Sequence, residues 1–194
     1  IFIPHEGCPY RCVFCSQVDI TGSRFLADKE NVLDILKTYL VPSSHSKCYS
    51  RREVAFYGGS FTGLLKERQE FLLSLIQPLI DDGRVDAIRV STHPLFVDHI
   101  QLKRLKSYGV ETVELGVQST NQKVLEQSGR PCPRKDLLKS VSLIRERDFK
   151  LGLQLMLGLP GDNEKRFQMS VMDVINLKPD FVRLYPTLVL RPTL

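Results

Sequence analysis

Ile1-Phe2-Ile3-Pro4-His5-Glu6-Gly7-Cys8-Pro9-Tyr10-Arg11-Cys12-Val13-Phe14-Cys15 runs a short apolar segment, which reads as a strand, straight into three cysteines within eight residues. Three thiolates close together, with no fourth equally close, suit an iron–sulfur cluster in which one iron is left open, since fully ligated clusters take four cysteines. A structural zinc site is the competing reading. Zinc prefers four N/S ligands, commonly as two separated pairs; His5 or the distant Cys48 would have to supply the fourth, and no second C-x-x-C exists. Packing cysteines are the third possibility, but these scatter rather than cluster.

Outward from that loop, strands and helices alternate. Ala27 to Leu40 reads as a helix capped by Asp28, with Val32, Leu33, Ile35, Leu36 and Leu40 as its apolar stripe. Val41 to Ser50 is a polar loop holding Pro42, His45 and Cys48. Glu53 to Tyr57 is a second strand, followed at once by Gly58-Gly59-Ser60-Phe61-Thr62-Gly63, where a bare backbone can approach a small ligand. A helix from about Leu65 to Ile80 is kinked or shortened at its end by Pro78. Val85 to Ser91 is the third strand, and Asp98 caps a helix that stops at Gly109. Val110 to Gln118 is the fourth strand, with a short helix through Val124 and Leu125 to Gly129. A helix marked by Leu137, Leu138, Val141 and Ile144 leads to a fifth strand, Lys150 to Leu157. A helix from Asn163 to Leu177, with Phe167, Val171, Val174 and Ile175 inward, leads to the sixth, Asp180 to Thr187.

Six strands alternating with helices predict a parallel α/β sheet, either doubly wound or part of a β/α barrel. In a barrel, chemistry gathers at the C-terminal ends of the strands. Cys8, Gly58, Ser91, Gln118, Gln154 and Gly158 all fall at or just past predicted strand ends, which favours a partial (β/α)6 barrel. With 194 residues, 42% hydrophobic and 25% charged, the chain is read as one domain over 1–194. It reads as an excised core, since residue 1 already lies in a strand. Three bunched and two isolated cysteines do not form a secreted disulfide framework, so a reducing cytoplasmic compartment is expected. No apolar run approaches the roughly 18 residues of a membrane span, and no membrane partner is expected. A net charge of +5 permits an anionic partner without demanding one. Arg51-Arg52, Lys103-Arg104-Lys106 and Arg145-Arg147 are short groups, not the single basic face of a tight RNA site.

The C-x-x-x-C-x-x-C spacing with Phe14 before the last cysteine resembles the signature of the radical S-adenosylmethionine (SAM) enzymes. Tyr57-Gly58-Gly59-Ser60-Phe61-Thr62 is similar to that superfamily's glycine motif. Ser91-Thr92-His93-Pro94, Glu114-Leu115-Gly116-Val117-Gln118-Ser119 and Leu157-Gly158-Leu159-Pro160-Gly161 resemble stretches in two of its subgroups. One contains the catalytic subunit of Elongator, a tRNA modifier, although that subunit has a wider gap between its first two cysteines. The other contains the oxygen-independent coproporphyrinogen oxidases. The resemblance implies a partial barrel truncated at both ends, with Cys8, Cys12 and Cys15 on a [4Fe–4S] cluster and SAM on its open iron. It implies Phe14 near the adenine, and Gly58, Gly59 and Ser60 at the methionine end, where a Cβ on either glycine would collide with the cofactor. It implies cofactor contacts from Gln118 and from Arg130, whose guanidinium can grip a carboxylate. Ser91 and Gln154 stand where the oxidases have carboxylates.

By the same resemblance the protein is an enzyme that cleaves SAM reductively to a 5′-deoxyadenosyl radical. The expected substrate is tRNA, with a porphyrin-like small molecule as the alternative, and the expected electron donor is a ferredoxin or flavodoxin. The non-enzyme alternative is a zinc-stabilised RNA-binding domain.

Overall fold

The structure is a computed structural model that describes residues 1–17, 27–40 and 51–189. His45 and Cys48 lie outside the described residues. Six strands, β1 (Phe2–Ile3), β2 (Glu53–Gly58), β3 (Ala87–Thr92), β4 (Val110–Gln118), β5 (Lys150–Leu157) and β6 (Phe181–Pro186), form one sheet in the order 1-2-3-4-5-6. Every neighbouring pair is parallel, with registers such as Val54↔Ile88, Val90↔Val113 and Leu153↔Val182.

That order decides between the two architectures. A doubly wound sheet reverses direction at a switch point and so carries helices on both faces. Here each strand sits beside its predecessor, and right-handed crossovers then place every helix on the same side. The result is one wall of an open barrel, with β1 and β6 as its edges. Alternation along each strand separates the faces: Phe56, Val90, Leu115 and Leu153 enter the apolar core under the helices. The opposite, concave face carries Tyr57, Arg89, Glu114, Gln154 and Arg183, one from each of five strands, which are linked to one another by hydrogen bonds and ion pairs.

The helices are α1 (Lys29–Tyr39), α2 (Lys66–Ser74), α3 (Gln77–Asp81), α4 (His99–Ser107), α5 (Gln122–Gln127), α6 (Arg134–Glu146) and α7 (Glu164–Asn176). Asp28, Asp98, Asn121 and Asn163 each cap a helix start by accepting a backbone N–H three residues on. Where a single helix was expected from Leu65 to Ile80, there are two. Pro78 has no N–H to give the Ser74 carbonyl, so α2 stops at Ser74, and the proline instead occupies the first turn of α3, where no donor is needed. The third strand starts two residues late because Val85 N–H still bonds the Leu79 carbonyl, 3.0 Å away, at the exit of α3. Ile175, expected inward, is 54% exposed.

Candidate active site

Two loops at the C-terminal rim interlock. The segment before the cysteines packs on the turn after β2: Ser60 N–H donates to the Glu6 carbonyl at 2.9 Å, and Arg68 grips the Glu6 carboxylate with two bonds of 2.9 and 3.0 Å. Gln17 closes the loop from the other side. Its Oε1 accepts from His5 N–H (2.5 Å), its own N–H donates to His5 Nε2 (3.2 Å), and its Nε2 donates to the Gly58 carbonyl. The clamp spans the three cysteines and engages His5 Nε2, one of the two ring nitrogens through which His5 could have held a zinc ion. Val13 N–H reaches the Ser128 carbonyl at 3.1 Å, tying the same loop to the turn after α5.

The cavity bounded by these loops is lined by all eleven residues expected there: Cys8, Cys12, Cys15, Phe14, Gly58, Gly59, Ser60, Ser91, Gln118, Arg130 and Gln154. They come from five βα segments and meet only through the rim. Among the described residues no three His, Cys, Asp or Glu side chains converge on one point as the ligands of a single ion do. Cysteines that serve a cluster stand on separate irons and need no such convergence. Burial, and then the charge of a neighbouring cysteine, pushes the Cys8 and Cys15 thiols up, so these two sulfurs ionise readily only against a positive centre.

Gln118 is aimed by strain. The β4–β5 register slips between Gly116 and Gln118, and Gln118 takes φ +66 while Ser119 N–H bonds the Val117 carbonyl at 2.9 Å. This tight three-residue turn is a costly conformation for a side chain other than glycine. It leaves Gln118 Oε1 buried with no partner. Arg130 is held by Nη2–H to the Gly116 carbonyl (2.6 Å) and Nη1–H to Cys12 Sγ (3.6 Å), while its Nε is buried and unpartnered. Gly116 permits this grouping: a Cβ there would stand 2.9 Å from Arg130 Nη2 and 3.1 Å from Gln118 Nε2.

Other expected residues lie on the wall in different roles. Ser60 Oγ accepts from His93 N–H (2.9 Å) and shares a bond with Thr92 Oγ1 (3.0 Å), so its hydroxyl ties the glycine turn to β3. Gln154 Nε2 donates to the buried Glu114 carboxylate at 2.9 Å and lies 3.4 Å from Ser91 Oγ. The glycines are bare for packing. A Cβ on Gly58 would strike the Phe2 ring, and one on Gly59 would strike the Ile3 and Glu6 carbonyl oxygens. A Cβ at either position therefore collides with β1 or with the approach to the cysteines, whatever the cavity holds.

Gly116, Glu114, Thr92 and His93 were missed as site residues. Their signal was present, since Glu114 and Gly116 share Gln118's face of β4 by period two. Burial pushes the Glu114 carboxyl up, but bonds from Tyr57, Gln154 and Arg89 and the charge of Arg183 outweigh it and hold it below the usual carboxylate range. Burial and then the Glu114 bond push the Tyr57 phenol up to about 12.

The chain belongs to the radical SAM superfamily, whose sequence profile matches residues 2–174. It is therefore an enzyme of that superfamily, whose members bind a [4Fe–4S] cluster and SAM. It is similar to the tRNA uridine(34) acetyltransferase of Methanocaldococcus jannaschii, with 29% identity over 58% of this chain and 21% of the relative. It is also similar to the heme chaperone HemW of Bacillus subtilis, with 30% identity over 68% of this chain and 35% of that protein. The solved coproporphyrinogen III oxidase HemN of Escherichia coli superposes with a TM-score of 0.70 and 21% identity, covering 97% of this chain and 43% of that one. The chain thus spans well under two thirds of each of these proteins. The residues present fit the family's cofactors: three thiols share a wall with an unpartnered guanidinium nitrogen and an unpartnered amide oxygen.

Proposed function

We propose that this chain is the radical-generating core of an enzyme that modifies tRNA, with Cys8, Cys12 and Cys15 holding the cluster. Gln118 and Arg130 hold the amino-acid end of SAM, and Phe14 packs near its adenine. The observation that carries the reading is the cavity itself, in which the cysteine loop, the strained Gln118 and the half-free Arg130 face one another. When bound, the cluster and SAM supply reductive cleavage and hydrogen abstraction. The protein's part is to bind and orient. Arg130 presents a planar fork for a carboxylate, Gln118 an acceptor, and Gln154 an amide whose Nε2 is turned to Glu114. Among the described residues no helix is long and apolar enough to cross a membrane. A cytoplasmic setting and a ferredoxin or flavodoxin as electron donor complete the proposal.

The choice of tRNA is supported by the archaeal tRNA uridine(34) acetyltransferase relative and by the net charge of +5. The porphyrin reading is favoured by the HemW and HemN likenesses. One assay separates them: anaerobic formation of 5′-deoxyadenosine, with bulk tRNA, with coproporphyrinogen, and with neither. Stimulation by tRNA alone is expected. Stimulation by the porphyrinogen alone overturns the tRNA reading. In the same preparation iron should approach about four per chain, and the Ala variants of Cys8, Cys12 and Cys15 should lose it.

A further inference from the structure

His93 lies in the turn after β3, 2% exposed, on the wall of the cavity. Its two ring nitrogens have different situations. Nδ1 accepts the Leu95 N–H at 3.1 Å, capping the short 3-10 turn Pro94–Phe96. An accepting Nδ1 carries no proton in the neutral ring, so the proton sits on Nε2. Burial, and then the positive charge of Arg130, pulls the imidazole down to about 3, so the ring is neutral at physiological pH. Nε2–H is thus a donor whose tautomer the backbone sets, and it is buried with no partner.

The ring cannot turn away to find one. Tyr10 from the cysteine loop meets it edge-on at 5.7 Å between centroids, and Phe96 meets it at 6.4 Å. His93 N–H is itself tied to Ser60 Oγ. A buried donor without an acceptor costs free energy that folding would otherwise avoid, and such groups call for a specific explanation. Arg130 Nε, the other unpartnered donor on this wall, brings a positive charge, which selects an anionic acceptor.

We infer that His93 is a cofactor-binding residue, its Nε2–H donating to a carboxylate oxygen of SAM that Arg130 also grips. This goes beyond the proposed substrate and rests only on the cofactor assignment. The residue then has two separable duties, a cap through Nδ1 and a ligand bond through Nε2.

Two substitutions separate them in the anaerobically cluster-loaded protein. Asn places an acceptor where Nδ1 stands and suits a cap position, but it has nothing at Nε2. Gln places an amide N–H near Nε2 and leaves the cap short. His93→Asn should weaken SAM binding, read by calorimetry, by about tenfold or more, with iron content and melting temperature kept. His93→Gln should bind within about threefold of the parent yet melt lower. In the parent, the ¹⁵N resonance of Nε2 should shift on adding SAM while that of Nδ1 stays. Wild-type affinity in His93→Asn overturns the inference, and so does a joint loss of affinity and melting temperature in both variants. A change in cluster reduction potential with unchanged SAM affinity also overturns it, by assigning the donor to the cluster. A parent protein that takes up iron but binds no SAM overturns the cofactor assignment as well, which keeps the two failures apart.

Discussion

Gly116 and Arg130 show how one missing Cβ can shape a binding wall. The guanidinium fills the space where a side chain at 116 would stand, and its remaining Nε has nothing to bond. Gly116→Ala should therefore push aside the flexible end of Arg130 rather than the backbone. SAM affinity should fall about tenfold, while the melting temperature stays within a few degrees of the parent. Arg130→Ala should cost about 2–4 kcal/mol of SAM binding and leave the iron content intact. Arg130→Lys should recover only part of it, because an ammonium lacks the planar fork. Calorimetric titration of the cluster-loaded variants checks both. Equal affinity in the Ala variant of Arg130 would return that residue to a packing role.

At the scale of elements, the cysteine loop and the glycine turn behave as one packed unit. Glu6–Arg68, Ser60 N–H on the Glu6 carbonyl and the Gln17 clamp all cross between them. Gln17→Leu removes both side-chain arms of that clamp. It should lower iron uptake below about four per chain, with only a small loss in melting temperature, since the core under the helices is untouched. Iron assay beside thermal unfolding in one preparation tests this, and full iron loading would show that the loop holds its shape unaided. Gly59→Val is expected to fail earlier, at folding, because its Cβ meets backbone oxygens that cannot swing aside. Loss of soluble protein, rather than loss of activity in a stable and iron-loaded one, is the expected result.

Across the whole molecule, the concave face of the sheet holds a charged web where the convex face holds the core. Glu114, with its side chain fully buried, receives Tyr57, Arg89, Gln154 and Arg183 from four other strands. Two arginines facing one another would repel without that carboxylate between them, so the web stabilises the curvature only while Glu114 is ionised. Its folded pKa lies below its ordinary 4.5, so the unfolded chain takes up the proton first as pH falls. Stability from this group is therefore complete above that value and drains away below it. Urea midpoints measured from about pH 6 to pH 3 should fall more steeply in the parent than in Glu114→Gln, the slope following proton uptake. Glu114→Gln should itself cost about 1–3 kcal/mol at neutral pH, since the partly exposed Arg89, which keeps Glu53, and the partly exposed Arg183 each lose a charged acceptor. Parallel slopes in the two proteins would remove Glu114 from the acid response.

The sequence by itself determined the alternation of strands and helices, the helix caps at Asp28 and Asp98, and the cysteine spacing. These are local matters, set by periodicity, by capping chemistry and by residues within a few positions of each other. The bounds of β4 and β5 were legible for that reason. Periodicity did not choose between a doubly wound sheet and a barrel; the candidate residues at strand ends favoured the barrel, and the strand order, a relation between segments far apart in the chain, decided it. The break in the helix around Pro78 was legible as a disturbance, but its place depended on which carbonyl lost its donor. The gathering of eleven residues on one wall was foreshadowed by their places at strand ends and by family resemblance. Which of their atoms are already spent was not. Ser60 Oγ bonds His93 N–H, Gly59 faces backbone, and His93 Nε2 and Arg130 Nε are left open. Only the tertiary structure decided these points, because a hydrogen-bond partner or a steric neighbour brought from another strand leaves no mark in the residues beside it.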